Sequence, residues 1–131
     1  MESYKTEIKQ AHISWGTHRK TFSRTRISGE SYVHIPVEAA LKFDIVRGRE
    51  YIAYFSDGRR SFKIKAAGNG KLLNGTQYAK QFEGIGAGAC KAFTPWYEEN
   101  GAEVGDFVKV TFKSDDELLF EIIKRNEIEV F

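Results

Sequence analysis

A chain of 131 residues with 41% hydrophobic and 14% aromatic content has material for one folded domain with one core, and too much apolar surface to stay disordered. Its single cysteine, Cys90, excludes an internal disulfide and a cysteine-built zinc site, and in Gly-Ala-Gly-Ala-Cys-Lys-Ala-Phe it reads as a small buried residue. The net charge of +2 hides an asymmetry: residues 1–91 carry sixteen Lys and Arg against eight Asp and Glu, whereas residues 92–131 carry four against ten.

In chain order, Ser3 to Ile13, with Glu7 and Lys9 among apolar and small neighbours, predicts a first strand. Ser14 to Ser31 is polar, basic and rich in hydroxyls, a hairpin or a long loop, and long loops in compact domains are usually functional. Strand character returns at Tyr32-Val33-His34-Ile35. Pro36 suits the first position of a helix, where its missing N–H would be unpaired anyway. The helix over Val37 to Phe43 is expected to bury Val37, Leu41 and Ala40. Glu50 to Phe55 alternates Tyr51, Ala53 and Phe55 against Ile52 and Tyr54, and Asp57-Gly58 offers the positive-φ positions of a tight hairpin. Ser61 to Lys65 then alternates with Phe62 and Ile64 inward and Lys63 and Lys65 outward.

A second insertion, Ala66 to Ala89, contains six glycines, and only Leu72-Leu73 and Tyr78 to Phe82 have element character. Thr94 as cap, Pro95 as start and Gly101 as stop frame a helix carrying Trp96 and Tyr97. Phe107 to Phe112 and Leu118 to Ile123 form a last hairpin that turns at Ser114-Asp115-Asp116, and Arg125 to Phe131 is a short tail.

The two halves repeat one another. Pro36 to Gly48 spans twelve positions and Pro95 to Gly105 ten; Gly48 to Phe62 spans fourteen and Gly105 to Phe120 fifteen. Two copies of one unit in so short a chain imply a barrel with pseudo-twofold symmetry, each copy completing the other's core.

Catalytic constellations are hard to find. His12, His18 and His34 lie apart in sequence and never at metal-ligand spacing with Cys, Asp or Glu. The Gly84-Ile85-Gly86-Ala87-Gly88-Ala89 run lacks the preceding strand and following acid of a dinucleotide fingerprint. Asp115-Asp116-Glu117 is clustered, but at a hairpin tip, where a solvated turn is the simpler account. No cofactor and no metal is expected, and nothing asks for catalysis in this chain.

What the sequence does offer is cationic and amide chemistry in two stretches free of acids, Trp15 to Gly29 and Gly58 to Phe82. Phosphate contacts need Lys, Arg and hydroxyl or amide donors, and base reading in the major groove needs Arg or Lys for guanine and Asn or Gln for adenine. The first insertion supplies Trp15, His18, Arg19, Lys20, Ser23, Arg24, Thr25, Arg26 and Ser28. The second supplies Lys65, Asn69, Lys71, Asn74, Gln77 and Lys80. Any one of these is ordinarily a solvated loop residue; two long basic insertions in one small barrel favour nucleic acid.

Val33-His34-Ile35-Pro36-Val37-Glu38-Ala39-Ala40 resembles the Ile-Pro-plus-helix signature of the DNA-binding pseudobarrel domains, which include the plant B-three transcription-factor domains and target-recognition domains of some bacterial restriction endonucleases. Ser61-Phe62-Lys63-Ile64 is similar to that family's W-x-F strand, and Cys90-Lys91-Ala92-Phe93 followed by Asn100 to Val108 to its GW-x-x-F … GD-x-V block. The matches run in order over roughly residues 20–123. The resemblance implies a mainly β fold with two short helices, a seven-stranded open pseudobarrel with an internal pseudo-twofold repeat, forming one domain over residues 1–131. It also implies two arms gripping the major groove, falling here on about residues 15–31 and 65–88, the same insertions that charge singles out. The helix-preceding Gly-Trp of the family is Ala89-Cys90 here, and arm residues do not align one to one, so base specificity does not carry over.

The reading that follows is sequence-specific binding of double-stranded DNA by a monomeric module, of the restriction-endonuclease recognition type or transcription-factor-like. The alternatives are a small nuclease or a subunit of a split restriction enzyme whose catalysis comes from a partner chain, and a protein-interaction module using Trp15, Trp96 and Tyr97 as exposed aromatics. RNA is disfavoured because the arms lack a clustered stacking platform. No apolar run approaches a membrane span and the N-terminus is no signal peptide, so the expected location is cytoplasmic or nucleoid-associated.

Overall fold

A computed structural model describes residues 2–9, 12, 31–86, 88 and 91–126. Its strands are β1 (Ser3–Glu7), β2 (Val33–His34), β3 (Glu50–Phe55), β4 (Phe62–Ala67), β5 (Leu72–Leu73), β6 (Thr76–Gln77), β7 (Gln81–Gly84), β8 (Phe107–Ser114) and β9 (Glu117–Ile123). Two six-residue helices, α1 (Val37–Lys42) and α2 (Thr94–Glu99), complete it. Seven strands form one sheet in the order β1-β8-β9-β3-β4-β7-β2, while β5 and β6 pair apart from it. All of these pairings are antiparallel except β3 with β9, where the two halves meet.

The sheet curls until its edge strands β1 and β2 approach, yet no ladder joins them. Instead the Tyr4 hydroxyl donates to the His34 carbonyl at 3.1 Å. This is the seven-stranded open pseudobarrel that the resemblance implies. Among the described residues no helix is long and apolar enough to cross a membrane.

The internal repeat is visible bond by bond. The Ala40 N–H donates to Pro36 O as Tyr97 does to Phe93 O, Phe43 to Ala39 as Asn100 to Trp96, Ile45 to Ala40 as Ala102 to Tyr97, and Arg49 to Val46 as Asp106 to Glu103. The backbone turns match too: Asp44 and Gly101 take φ of 54° and 61°, Gly48 and Gly105 of 93° and 99°. Symmetry therefore equates Pro36 with Phe93, not with Pro95. Pro36 is also one position earlier than expected: it is the N-cap of α1, at φ −60°, ψ 150°, and its fixed φ serves the extended entry rather than the first turn.

Alternation along the strands sends Tyr51, Ala53 and Phe55 from one half, and Val108, Val110, Leu118 and Phe120 from the other, into one core. Helix burial corrects the sequence expectation. Val37 is 46% and Leu41 38% exposed, and α1 instead lays Ala39 and Ala40 on the barrel. A helix of under two turns has room for only one contact face, and small residues there let its backbone come close. In α2, Thr94 is the first helical residue and Phe93 the cap; Thr94 Oγ1 is spent on Ser31 Oγ at 2.8 Å rather than on capping. Trp96 and Tyr97, expected as exposed docking aromatics, are 1% and 3% exposed and belong to the core.

Asp57-Gly58 is not a tight two-residue hairpin. Only Gly58 has positive φ, and six residues separate β3 from β4. Asp57 instead accepts hydrogen bonds from the Arg59 backbone N–H and Nε and from Asn100 Nδ2, while Arg59 Nη2 reaches Glu99 Oε1 at 2.6 Å. Those donors hold the Asp57 carboxyl down at about 2.

Candidate nucleic-acid interface

The second arm is a built hairpin. Asn74 and Gly75, at φ 50° and 82°, supply the paired left-handed conformations of a two-residue turn, with Leu73 opposite Thr76 and Leu72 opposite Gln77. Below the tip, Gly70 N–H donates to Tyr78 O, Tyr78 N–H to Lys71 O and Lys80 N–H to Ala67 O. Gln77 turns its amide Nε2 to the carbonyls of Gly70, Lys71 and Tyr78, at 3.2, 3.3 and 3.0 Å. The returning strand is braced on its other side by residues 45–47: Ala79 N–H donates to Ile45 O, Arg47 N–H to Gln77 O, and Val46 bridges Tyr78. The arm's returning strand thus has backbone on both sides, which ties the hairpin to the barrel.

Gly70 marks the tightest approach: a Cβ there would lie 2.6 Å from the Ala79 carbonyl oxygen. Gly70→Ala is expected to force the arm's strands apart at a cost of about 1–2 kcal/mol. Urea denaturation checks it; an unchanged midpoint would mean that the hairpin yields without strain.

The cations of this region divide into two sets. Arg59 is committed to Asp57 and Glu99, and Lys65 lies across the ladder from Glu83, 4.0 Å away. Arg60, Lys63, Lys71 and Lys80 are exposed and make no ion pair among the described residues. Asn69 and Asn74 are exposed on the arm as well. One contributor was missed from the sequence: Arg47, whose Nη1 donates to Asn69 Oδ1 at 2.8 Å. It sits in the Arg47-Gly48-Arg49 turn that opens β3, so its short-range context reads as a turn and only the fold sets it beside the arm.

Of the first arm, Trp15, His18, Arg19, Lys20, Ser23, Arg24, Thr25, Arg26 and Ser28 lie outside the described residues, as does Cys90. Its roots are described and are firmly fastened. The Tyr32 N–H donates to His12 O at 3.0 Å, so the chain leaves and returns at one point. The Tyr97 hydroxyl donates to Tyr32 O at 2.8 Å, and the buried Ser31 and Thr94 hydroxyls meet at 2.8 Å. His12 and His34, distant in sequence, stack 5.2 Å apart with ring planes 9° from parallel.

Both arms are rooted on one pair of strands. β2 pairs with β7 through Val33–Phe82 and His34–Gln81. The first arm enters β2 at Tyr32, and the second enters β7 at Lys80, whose carbonyl accepts the Ile35 N–H at 2.9 Å. Because the strands are antiparallel, the arms leave opposite ends of this short ladder. Three residue steps, from Tyr32 to Ile35, set the roots roughly 10 Å apart at about 3.3 Å per step. Among the described residues, no group of three or more His, Cys, Asp or Glu side chains is placed to hold a metal.

No protein-family model and no curated protein sequence matches the chain. Solved structures do, among them these two. One is the N-terminal domain of Helicobacter pylori LlaJI.R1, at 17% identity and a TM-score of 0.54, covering 94% of this chain and 88% of that one. The other is an Arabidopsis FUS3–DNA complex, at 15% identity and a TM-score of 0.54, covering 92% and 95%. At this identity the likeness is one of fold, and the fold is the B-three-like pseudobarrel.

Proposed function

We propose that this chain binds double-stranded DNA in a sequence-specific manner, its two basic arms entering the major groove. The observation that carries the proposal is the common rooting of two basic insertions on the β2–β7 ladder, at a spacing of roughly 10 Å against a groove about 12 Å wide. Lys71 and Lys80, exposed and without an ion pair among the described residues, are suited to phosphates, and Asn69, oriented by Arg47, to a base edge. The structurally similar FUS3 was solved bound to DNA, which supports the same partner here. In this role the chain is a recognition domain of the restriction-endonuclease type or a transcription-factor-like module, and any strand cleavage belongs to a partner chain.

Selection from a randomised duplex pool at two salt concentrations tests the proposal, with Arg24→Ala/Arg26→Ala and Lys71→Ala/Lys80→Ala variants alongside. The expected result is an enriched motif whose affinity falls steeply with salt, with a shallower slope in each variant by about one unit per phosphate contact removed. Retention of no duplex at low salt would refute it.

A further inference from the structure

Lysines and amides account for the sides of the second arm but not for its end. Leu72 is 64% and Leu73 41% exposed, adjacent on β5 immediately before the Asn74–Gly75 turn. Such a pair held in water contributes nothing to the core, while the hairpin beneath it is braced along its returning strand by residues 45–47. The surroundings are cationic: Lys71 precedes the pair, Lys80 and Arg47 stand toward the base, and no acid occurs from Gly58 to Phe82. An apolar tip on a basic stem fits an apolar feature inside an anionic polymer, and in the major groove that feature is the thymine C5-methyl group.

Building on the DNA reading above, we infer that Leu72 and Leu73 form an apolar reading head that packs against thymine methyl groups. Successive strand residues face opposite ways, so one leucine is offered to each side of the hairpin. Withdrawing one methyl from such a contact weakens binding about fourfold, the equivalent of ~0.8 kcal/mol.

The test uses the full chain and a Leu72→Ala/Leu73→Ala variant, both substitutions lying on the surface. The duplex enriched by the wild type is remade with each thymine replaced in turn by deoxyuridine, which removes only the C5-methyl. The wild type is expected to lose about fourfold at one or two positions and the variant to lose nothing there, with the salt slope alike in both. Equal affinity of the wild type for thymine and deoxyuridine duplexes overturns the inference, as does discrimination that survives in the variant. Either result, with duplex binding intact, would turn attention to the leucines as a protein-docking surface. A wild type that holds no duplex removes the DNA reading itself, and this inference with it.

Discussion

Phe120→Ala is expected to destabilise the protein by about 3–5 kcal/mol, close to the whole stability of a small domain. Phe120 is fully buried on β9, and its ring lies 5.6 Å from Phe55, 5.9 Å from Phe82, 5.3 Å from Phe93 and 6.0 Å from Trp96. Phe55 ends β3 in the first half and Trp96 sits on α2 in the second, so the ring bridges the two copies at the parallel β3–β9 junction. Truncation removes contacts to both halves and leaves a void that the symmetric aromatic cluster cannot close from one side. Urea denaturation is the measurement. A loss below about 1 kcal/mol would mean that the neighbouring rings collapse into the space, and the bridging account would fail.

The barrel was legible because its information is local and repeated. Strict alternation at Tyr51, Ala53 and Phe55 gave the inward face, and the doubled Gly-to-Phe spacing gave the symmetry; the Pro-to-Gly match was two positions out, because the counterpart of Pro36 is Phe93. What the sequence misplaced depends on who the neighbours are. Apolar spacing alone would bury Val37 and Leu41, but the barrel wall admits Ala39 and Ala40. Trp96 and Tyr97 read as surface aromatics until the symmetry shows them packed on the second half's core. The basic insertions were legible as charge, and their common rooting was not: it arises from β2–β7 pairing across more than forty residues of chain. Arg47 was lost for the same reason, since a hydrogen bond to Asn69 leaves no trace in the residues beside it.

Acid is expected to weaken the fold at the seam between the barrel's edges, through His12. Its Nδ1 accepts the Lys9 N–H at 3.0 Å, which fixes the neutral tautomer with its proton on Nε2. Protonating Nδ1 would set a donor against a donor and place a buried cation beside His34 and Lys9. Burial first, then those two charges, lower the His12 pKa from 6.5 to about 4. His34 is lowered in the same sense by burial and Lys80, with Glu38 opposing.

The unfolded chain thus binds more protons than the folded one between these values, so stability is complete above about pH 7 and declines as pH falls through 6.5 toward 4. For His12 the loss amounts to about 2 kcal/mol once solvent screening at the barrel's edge is allowed for. Asp57, held near 2 by Arg59, contributes only at lower pH, where its own stabilisation is lost as it protonates. Because the Tyr32 N–H rests on the His12 carbonyl, the same loss should loosen the root of the first arm before the barrel opens. Denaturation profiles at pH 7.5 and 4.5 for the wild type and a His12→Asn variant, whose Oδ1 can take the place of Nδ1, measure the effect. The wild type should lose about 2 kcal/mol more than the variant across that interval. Equal losses would place the acid sensitivity elsewhere, and hydrogen exchange at Tyr32 that stays slow at pH 4.5 would detach the arm's root from the titration of His12.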